Sequence, residues 1–487
     1  MMSRRQSLLY SVLLLLLTGL IRTAWLAYFP VDPIEPVDAE GYHLLALNLL
    51  SGRGFSLMWD PPFCPTALRA PLYPLFLAGG YHLLGAEPER AVFLQVLLEV
   101  LTTALVIRLG RQVGRLAAGR SWRSGMAMGG AAGLLYALNG TTQRYTGYLF
   151  SEALLLPLMA AALLLTVTAL KRVRGTTAVL AGIFWGLALL TKPNIQFLVV
   201  AIGGLFVVRA LWVAIHREEE KARKWCAAAG LFCGVVLLVL APWVLRNRRV
   251  MGRWVVTTAF EENLARVSAV ATLSEVRGLR AEPWTSTWEQ LYGELVEEAS
   301  QRYHWEIWNK AIPLCAAADL RHQQVAQVAR QIVSDHPAAF LTAHFKGVLR
   351  SLLDVGHRTW YPALTGEAWE TTGVLGDIWR RMGESLRIGA VGDALHALWL
   401  ERVTRAPLGA ALLWWGLLAA RVGVGWLGLR GLWRLRGAPW VALLLAGTTT
   451  YLLLLPGPIA YDRFYLPAIP GVVVLLAVGQ SAGLSGS

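Results

Sequence analysis

The sequence predicts an all-α protein that crosses a membrane many times, and three observations predict it. The 487 residues are 55% hydrophobic and only 16% charged, with a mean hydropathy of +0.48, which is too apolar for an ordinary soluble domain. Apolar runs close to the ~20 residues that span a bilayer recur along the chain. The arginines cluster in short loops between those runs, as they do on the inner side of a membrane. That distribution assigns the net charge of +14 to topology and to contact with membrane lipids, and excludes nucleic acid as a partner.

The apolar runs fall at 7–29, 89–109, 125–141, 149–170, 176–191, 194–213, 225–245, 406–428, 438–456 and 465–483, about 10 in all. The first begins like a signal peptide, MMSRRQSLLYSVLLLLL, but continues to about Phe29 without a small-x-small cleavage site, so a retained helix is expected. Arg4 and Arg5 place its start inside. Arg108, Arg111, Arg115, Arg120 and Arg123 place the loop after 89–109 inside as well. Two crossings satisfy both facts, and a third at 71–86 would break the parity. That shorter run is therefore expected along the outer interface. The remaining loops alternate, with Lys171, Arg172, Arg174, His216 to Lys224 and Arg430 to Arg436 inside.

Three regions follow: a membrane module at 1–246 with an outer loop at 30–88, an outer and mostly helical insert at 247–404, and further membrane helices at 405–487. Within the insert, Leu320, Val325, Val328 and Ile332 share one face of a helix over 319–336. That face can pack on its own domain or lie on lipid. Of the four cysteines, Cys226 and Cys233 lie in an apolar run, while Cys64 and Cys315 could pair outside the membrane. None has metal-ligand spacing.

Charge at membrane depth is costly and commonly functional, which singles out several outer-face positions. Asp38 opens D-x-x-x-Y with Tyr42; the bland alternative is one solvated acid among several. Arg69 precedes A-P-L-Y-P, which contains Tyr73. Proline fixes the chain there, and a guanidinium suits a phosphate, although an arginine can also snorkel to lipid headgroups. Glu152 begins a helix, where the dipole alone favours it. Lys192 breaks two apolar runs. Arg463 has Asp462 beside it as a potential partner. Glu99 is the most buried charge and has no assigned role.

Taken together these segments resemble the GT-C superfamily of polytopic glycosyltransferases, in particular the family 39-like branch of protein O-mannosyltransferases and lipid A aminoarabinose transferases. The matching pieces are D-x-x-x-Y-x-x-x-A-x-N-L-x-x-G-x-G-F from Asp38 to Phe55, R-x-P-L-Y-P from Arg69 to Pro74, Ser151–Glu152, and G-L-A-x-L-T-K-P from Gly186 to Pro193. P-W-x-x-R-N from Pro242 to Asn247 and R-F-x-x-P from Arg463 to Pro467 complete them. Two departures stand out. Asp38 is followed by Ala39 where protein O-mannosyltransferases carry an Asp-Glu pair, and Lys192 stands where many relatives have arginine.

The resemblance implies a bundle of the GT-C type and an inverting transfer of a sugar. The donor would be a polyprenyl- or dolichyl-monophosphate sugar, and the acceptor a hydroxyl on a lipid, a glycan or a protein. The expected place is the outer, periplasmic or extracellular face, in a bacterial inner membrane. The absence of a nucleotide-binding motif agrees with a lipid-carried donor. On this reading Arg69, Lys192 and Arg463 bind the donor phosphate, and Tyr42 and Tyr73 line the site. Asp38 acts as base, its pKa raised by burial beside lipid, and Glu152 orients the acceptor. No cofactor is certain; Asp38 and Glu152 would be the carboxylates for a divalent metal. The alternatives are a flippase or transporter of lipid-linked sugars and a non-catalytic subunit of envelope assembly.

Overall fold

A computed structural model describes residues 4–119, 121–279, 281, 283–305, 314–353, 408–459 and 462–480. Among them the regular elements are helices, with one isolated antiparallel bridge between Ser56 and Pro65. The N-terminal region holds α1 (Arg4–Tyr28), α2 (Val37–Leu50), α3 (Leu72–Leu84), α4 (Pro88–Ala117), α5 (Trp122–Ala137), α6 (Gly140–Tyr145), α7 (Glu152–Lys171), α8 (Gly175–Thr191), α9 (Gln196–Ile215) and α10 (Glu219–Met251). Next come α11 (Ala259–Asn263), α12 (Val270–Val276), α13 (Ser286–Arg302), α14 (Leu314–Asp335) and α15 (Pro337–Leu353). The last described helices are α16 (Leu408–Arg434), α17 (Pro439–Leu454) and α18 (Ile469–Gln480).

Among the described residues, six stretches are long and apolar enough to cross a membrane: Leu8–Tyr28, Pro88–Ala117, Glu152–Lys171, Pro193–Ile215, Glu219–Met251 and Arg463–Gln480. Two further predicted runs fall on the shorter apolar helices Gly175–Thr191 and Pro439–Leu454. The runs at 125–141 and 406–428 fall on α5 and α16, with 406–407 outside the described residues. The stretch at 71–86 forms α3, whose 13 residues reach well short of a ~30 Å hydrocarbon core. Of the insert, 306–313 and 354–404 lie outside the described residues. Helix α10 runs past position 246 to Met251.

Small residues let α4 and α5 approach closely, as is common where helices pack in lipid. A Cβ on Gly110 would stand 3.0 Å from the Cα of Gly129. In the insert, α14 turns Val325 and Val328 onto Ala265, Ala269, Leu295 and Ala299, with Ile332 beside them. Its apolar face thus packs on its own region. Cys64 and Cys315 form a disulfide that ties the loop between α2 and α3 to the start of α14. Cys226 and Cys233 are free and exposed on α10.

Glu99 has a charged partner in α1. Arg22 of α1 is fully buried and donates to Glu99 Oε2 from both Nε and Nη2 at 3.2 Å. It also donates to the carbonyls of Ala137 and Tyr136 and to Thr142 Oγ1. Tyr136 donates to the same carboxylate at 3.0 Å. This cluster joins α1, α4, α5 and α6, and its donors are used on the protein itself. An arginine inside the first apolar run (GLIRTAW) was the signal available. Glu99→Ala, which strands Arg22 in the bundle, should cost about 3–5 kcal/mol of stability, whereas replacing both residues by apolar side chains should be nearly neutral. Thermal unfolding of the purified variants in detergent checks this contrast.

Candidate functional site

Asp38, Arg69, Glu152, Lys192 and Arg463, the five charged residues at the ends of the apolar runs, meet in one network. Asp38 lies in the first turn of α2, where a carboxylate suits the helix dipole. After α2 the chain turns through Gly52 and Gly54, both at positive φ. The loop returns to bring Arg69 in front of α3, and Arg69 Nη2 bonds to Asp38 Oδ1. Glu152 is the first residue of α7. Lys192 precedes Pro193, and a residue before proline is pushed out of the helical region. Lys192 is accordingly extended, at φ −145° and ψ 97°, and α8 ends there. Its Nζ donates to Glu152 Oε1 at 2.6 Å.

Arg463, in a short 3-10 helix before α18, closes the network. It donates from Nη1 to Asp38 Oδ2 at 2.8 Å and from Nε to Glu152 Oε1 at 2.7 Å. Its guanidinium lies 3.5 Å from the ring centroid of Phe150. Asp462, the neighbour considered as its partner, has a side chain outside the described residues. Three cations therefore share two carboxylates, leaving one formal positive charge on the network.

Tyr42 and Tyr73 stand behind these charges. The Tyr42 hydroxyl donates to Ser151 Oγ at 3.1 Å, and Ser151 Oγ donates to Glu152 Oε2 at 3.2 Å. The Arg69 guanidinium lies 5.5 Å from the Tyr42 ring centroid, within cation–π range. Tyr73 meets Tyr42 edge to face at 4.9 Å and donates to Gln95 Oε1 at 2.7 Å. The Gln95 amide in turn donates to the carbonyls of Thr146 and Tyr148. In the sequence Ser151 shows only as part of the S-E motif, and Gln95 has no motif of its own. An amide within an apolar run was the only sign of the latter.

The two carboxylates differ in access. The Asp38 side chain is 37% exposed and that of Glu152 only 2%, so Asp38 faces the open side of the network while Glu152 lies beneath it. Burial raises the Asp38 pKa more than any other single influence, but Arg69 and Arg463 together outweigh it and hold the carboxyl below its ordinary value. The expectation of a raised pKa is thus corrected: the burial effect has the expected sign, and the two guanidinium groups reverse the result. Burial, more than any other influence, pushes the Tyr42 hydroxyl up, so it stays neutral and able to donate.

The donor set also bears on a metal. Both Asp38 oxygens accept from arginine, and Glu152 Oε1 accepts from Lys192 and Arg463. A divalent ion would have to displace those cations, so the residues as arranged do not fit one. Among the described residues no group of three or more His, Cys, Asp or Glu side chains is gathered to hold a metal.

Because the folded Asp38 pKa is depressed, its stabilising contribution is complete above the ordinary value of 3.8 and fades as pH falls through the lower folded value. The thermal stability of the wild type should therefore decline as pH falls below about 4, and less steeply in Asp38→Asn, which thermal unfolding at a series of pH values checks. Equal slopes for the two proteins would show that the ion pair does not form.

Residues 68–245 match a family model described as dolichyl-phosphate-mannose-protein mannosyltransferase. That span contains Arg69, Tyr73, Glu152 and Lys192. No curated protein is similar enough in sequence to count as a relative. Among solved structures, the oligosaccharyltransferase of Archaeoglobus fulgidus in its apo form aligns over 98% of this chain at 15% identity, with a TM-score of 0.48. This chain covers 50% of that one, about half its length. ArnT from Cupriavidus metallidurans bound to undecaprenyl phosphate aligns over 96% of this chain and 76% of its own, at 15% identity and a TM-score of 0.38. The motifs at Arg69–Pro74, Ser151–Glu152 and Gly186–Pro193 lie inside the span that matches the mannosyltransferase family model, and those at Asp38–Phe55 and Arg463–Pro467 lie outside it.

Proposed function

We propose that this chain is a membrane glycosyltransferase. It moves a sugar from a polyprenyl- or dolichyl-monophosphate carrier to a hydroxyl on a lipid, glycan or protein, with inversion, at the outer membrane face. The observation that carries the reading is the gathering of Arg69, Lys192 and Arg463 around Asp38 and Glu152, within and beside the segment that matches the mannosyltransferase family. A donor phosphodiester carries one negative charge, which complements the one positive charge left on the network. The Ala39 that follows Asp38 leaves the acceptor class open, since the Asp-Glu pair of protein O-mannosyltransferases is missing.

The step needs little acid catalysis, because a lipid phosphate is a good leaving group. The acceptor oxygen forms its bond to the anomeric carbon as the bond from that carbon to the phosphate oxygen breaks. The electron pair leaves with the phosphate, and the hydroxyl proton passes to Asp38. The three cations stabilise the charge that grows on the phosphate. Glu152, buried between Lys192 and Arg463, holds those two cations in place rather than meeting the acceptor. That revises the acceptor-orienting role given to it above. No step is routed through a metal.

Asp38 is a weak base while two arginines bind it. A donor phosphate would draw the guanidinium groups toward itself and relieve the carboxylate of the charges that depress its pKa. The remaining effect of burial then raises it toward the range a general base needs. Donor binding thus prepares the base.

The deep polar cluster of Arg22 and Glu99 is the observation that favours a transporter, which places charges near the midplane. Its five donor contacts to neighbouring helices fit a packing role instead.

Purified protein given a panel of synthetic polyprenyl-phosphate sugars should release the lipid phosphate and glycosylate an added acceptor; no transfer from any donor sinks the reading. Asp38→Asn should keep donor binding and lose ~10²–10⁴-fold in kcat. Arg69→Ala should weaken donor binding ~10–100-fold, as loss of a charged hydrogen bond implies. The acidic limb of kcat should lie at higher pH than that of kcat/KM, because the first reports the donor complex and the second the free enzyme. Coincident limbs would remove the proposed release of Asp38.

A further inference from the structure

The motif P-W-x-x-R-N at the outer end of α10 takes no part in the charge network, yet its side chains hold the loop that ends in Arg69. Arg246 Nη1 donates to the carbonyl of Thr66 at 2.8 Å, and Nη2 to that of Phe55 at 3.4 Å. These two carbonyls belong to opposite sides of the loop, which are joined by the Thr66 N–H bond to the Phe55 carbonyl and the Ser56–Pro65 bridge. One guanidinium therefore spans both sides. It lies 4.9 Å from the ring centroid of Trp243 and 5.5 Å from that of Phe55, and those rings meet edge to face at 4.8 Å.

Asn247 is fully buried. Its Oδ1 accepts from Arg246 at 2.9 Å and its Nδ2 donates to the carbonyl of Val255 at 2.8 Å. That bond brings the chain after α10 back against the loop. Thr258 N–H donates to the carbonyl of Ala67 at 3.0 Å, and Thr257 Oγ1 to that of Leu68 at 3.2 Å. The carbonyls of Thr66, Ala67 and Leu68, the three residues immediately before Arg69, are thus all held by the segment from 246 to 258. Arg69 itself is held at its tip by Asp38 and the Tyr42 ring, with Nε buried and without a hydrogen-bond partner, so the held backbone in front of it fixes the base of the side chain.

We propose that Arg246 and Asn247 are positioning residues: they fix the loop 55–68 so that Arg69 meets the donor phosphate. The inference rests on the donor-binding reading of Arg69 given above. A planar guanidinium is required because it bonds two carbonyls in divergent directions while lying on aromatic rings, which a lysine ammonium does not reproduce.

A double-mutant cycle on the full chain in detergent tests this, with binding of a synthetic sugar-free polyprenyl monophosphate as the readout. Non-reducing peptide mapping of the Cys64–Cys315 bridge verifies that each variant has folded. Arg246→Ala should weaken binding about tenfold in the wild-type background and by less than about twofold in an Arg69→Ala background, because coupled residues are non-additive. If Arg246→Ala does not fold, Arg246→Lys takes its place in the same cycle, with a smaller loss of the same pattern expected. Equal losses in both backgrounds, or no loss in the wild type, overturn the inference alone. Failure of the wild type to bind the probe overturns the donor reading and this inference with it.

Discussion

Arg463 bonds to Asp38 and Glu152 at once, across sequence separations of 425 and 311 residues. The end of the bundle that holds the network depends on this contact. A charge held away from water must be paired, and stripping one partner from a buried pair costs about 3–5 kcal/mol. The pairs around Arg463 therefore constrain where α2, α7, the break before Pro193 and the approach to α18 can lie. Each contributes a single charged group, and each group is satisfied only if the other elements are present.

The same arrangement sets an electrostatic preference. A network of three cations and two carboxylates in a partly dry site favours one more negative charge. Its two acids are not equivalent, because one is covered and one is open. The covered acid keeps the cations from repelling one another, and the open acid is left to meet whatever approaches from outside. Behind them the Tyr42–Ser151 and Tyr73–Gln95 bonds occupy groups that would otherwise be unpaired next to the charges.

Much of this was legible in the sequence. Asp38, Arg69, Glu152, Lys192 and Arg463 stand out because each is a charge at the end of an apolar run, where lipid makes charge expensive. The parity of the arginine-rich loops kept 71–86 out of the crossings, and its 13-residue helix agrees. What was not legible depends on contacts between remote segments. The depressed pKa of Asp38 comes from Arg69 and Arg463 together, and no local pattern connects the second of these to it. Arg22 lies inside a leucine-rich run, and its pairing with Glu99 follows only from the packing of α1 on α4. The arginine of P-W-x-x-R-N was visible, but not that it reaches back to Phe55 and Thr66.

The order in which the chain is made gives the Arg463 contact a further consequence. Glu152 emerges 311 residues before the arginine that caps it. At about 5–20 residues per second, that interval is roughly 15–60 s of synthesis. Throughout it the two acids have only Arg69 and Lys192 as partners from this network. The helices that carry Asp38 and Glu152 are thus made with these charges incompletely matched, and the segment before α18 supplies the missing cation. A chain stalled before Arg463 therefore carries both acids without the residue that joins them.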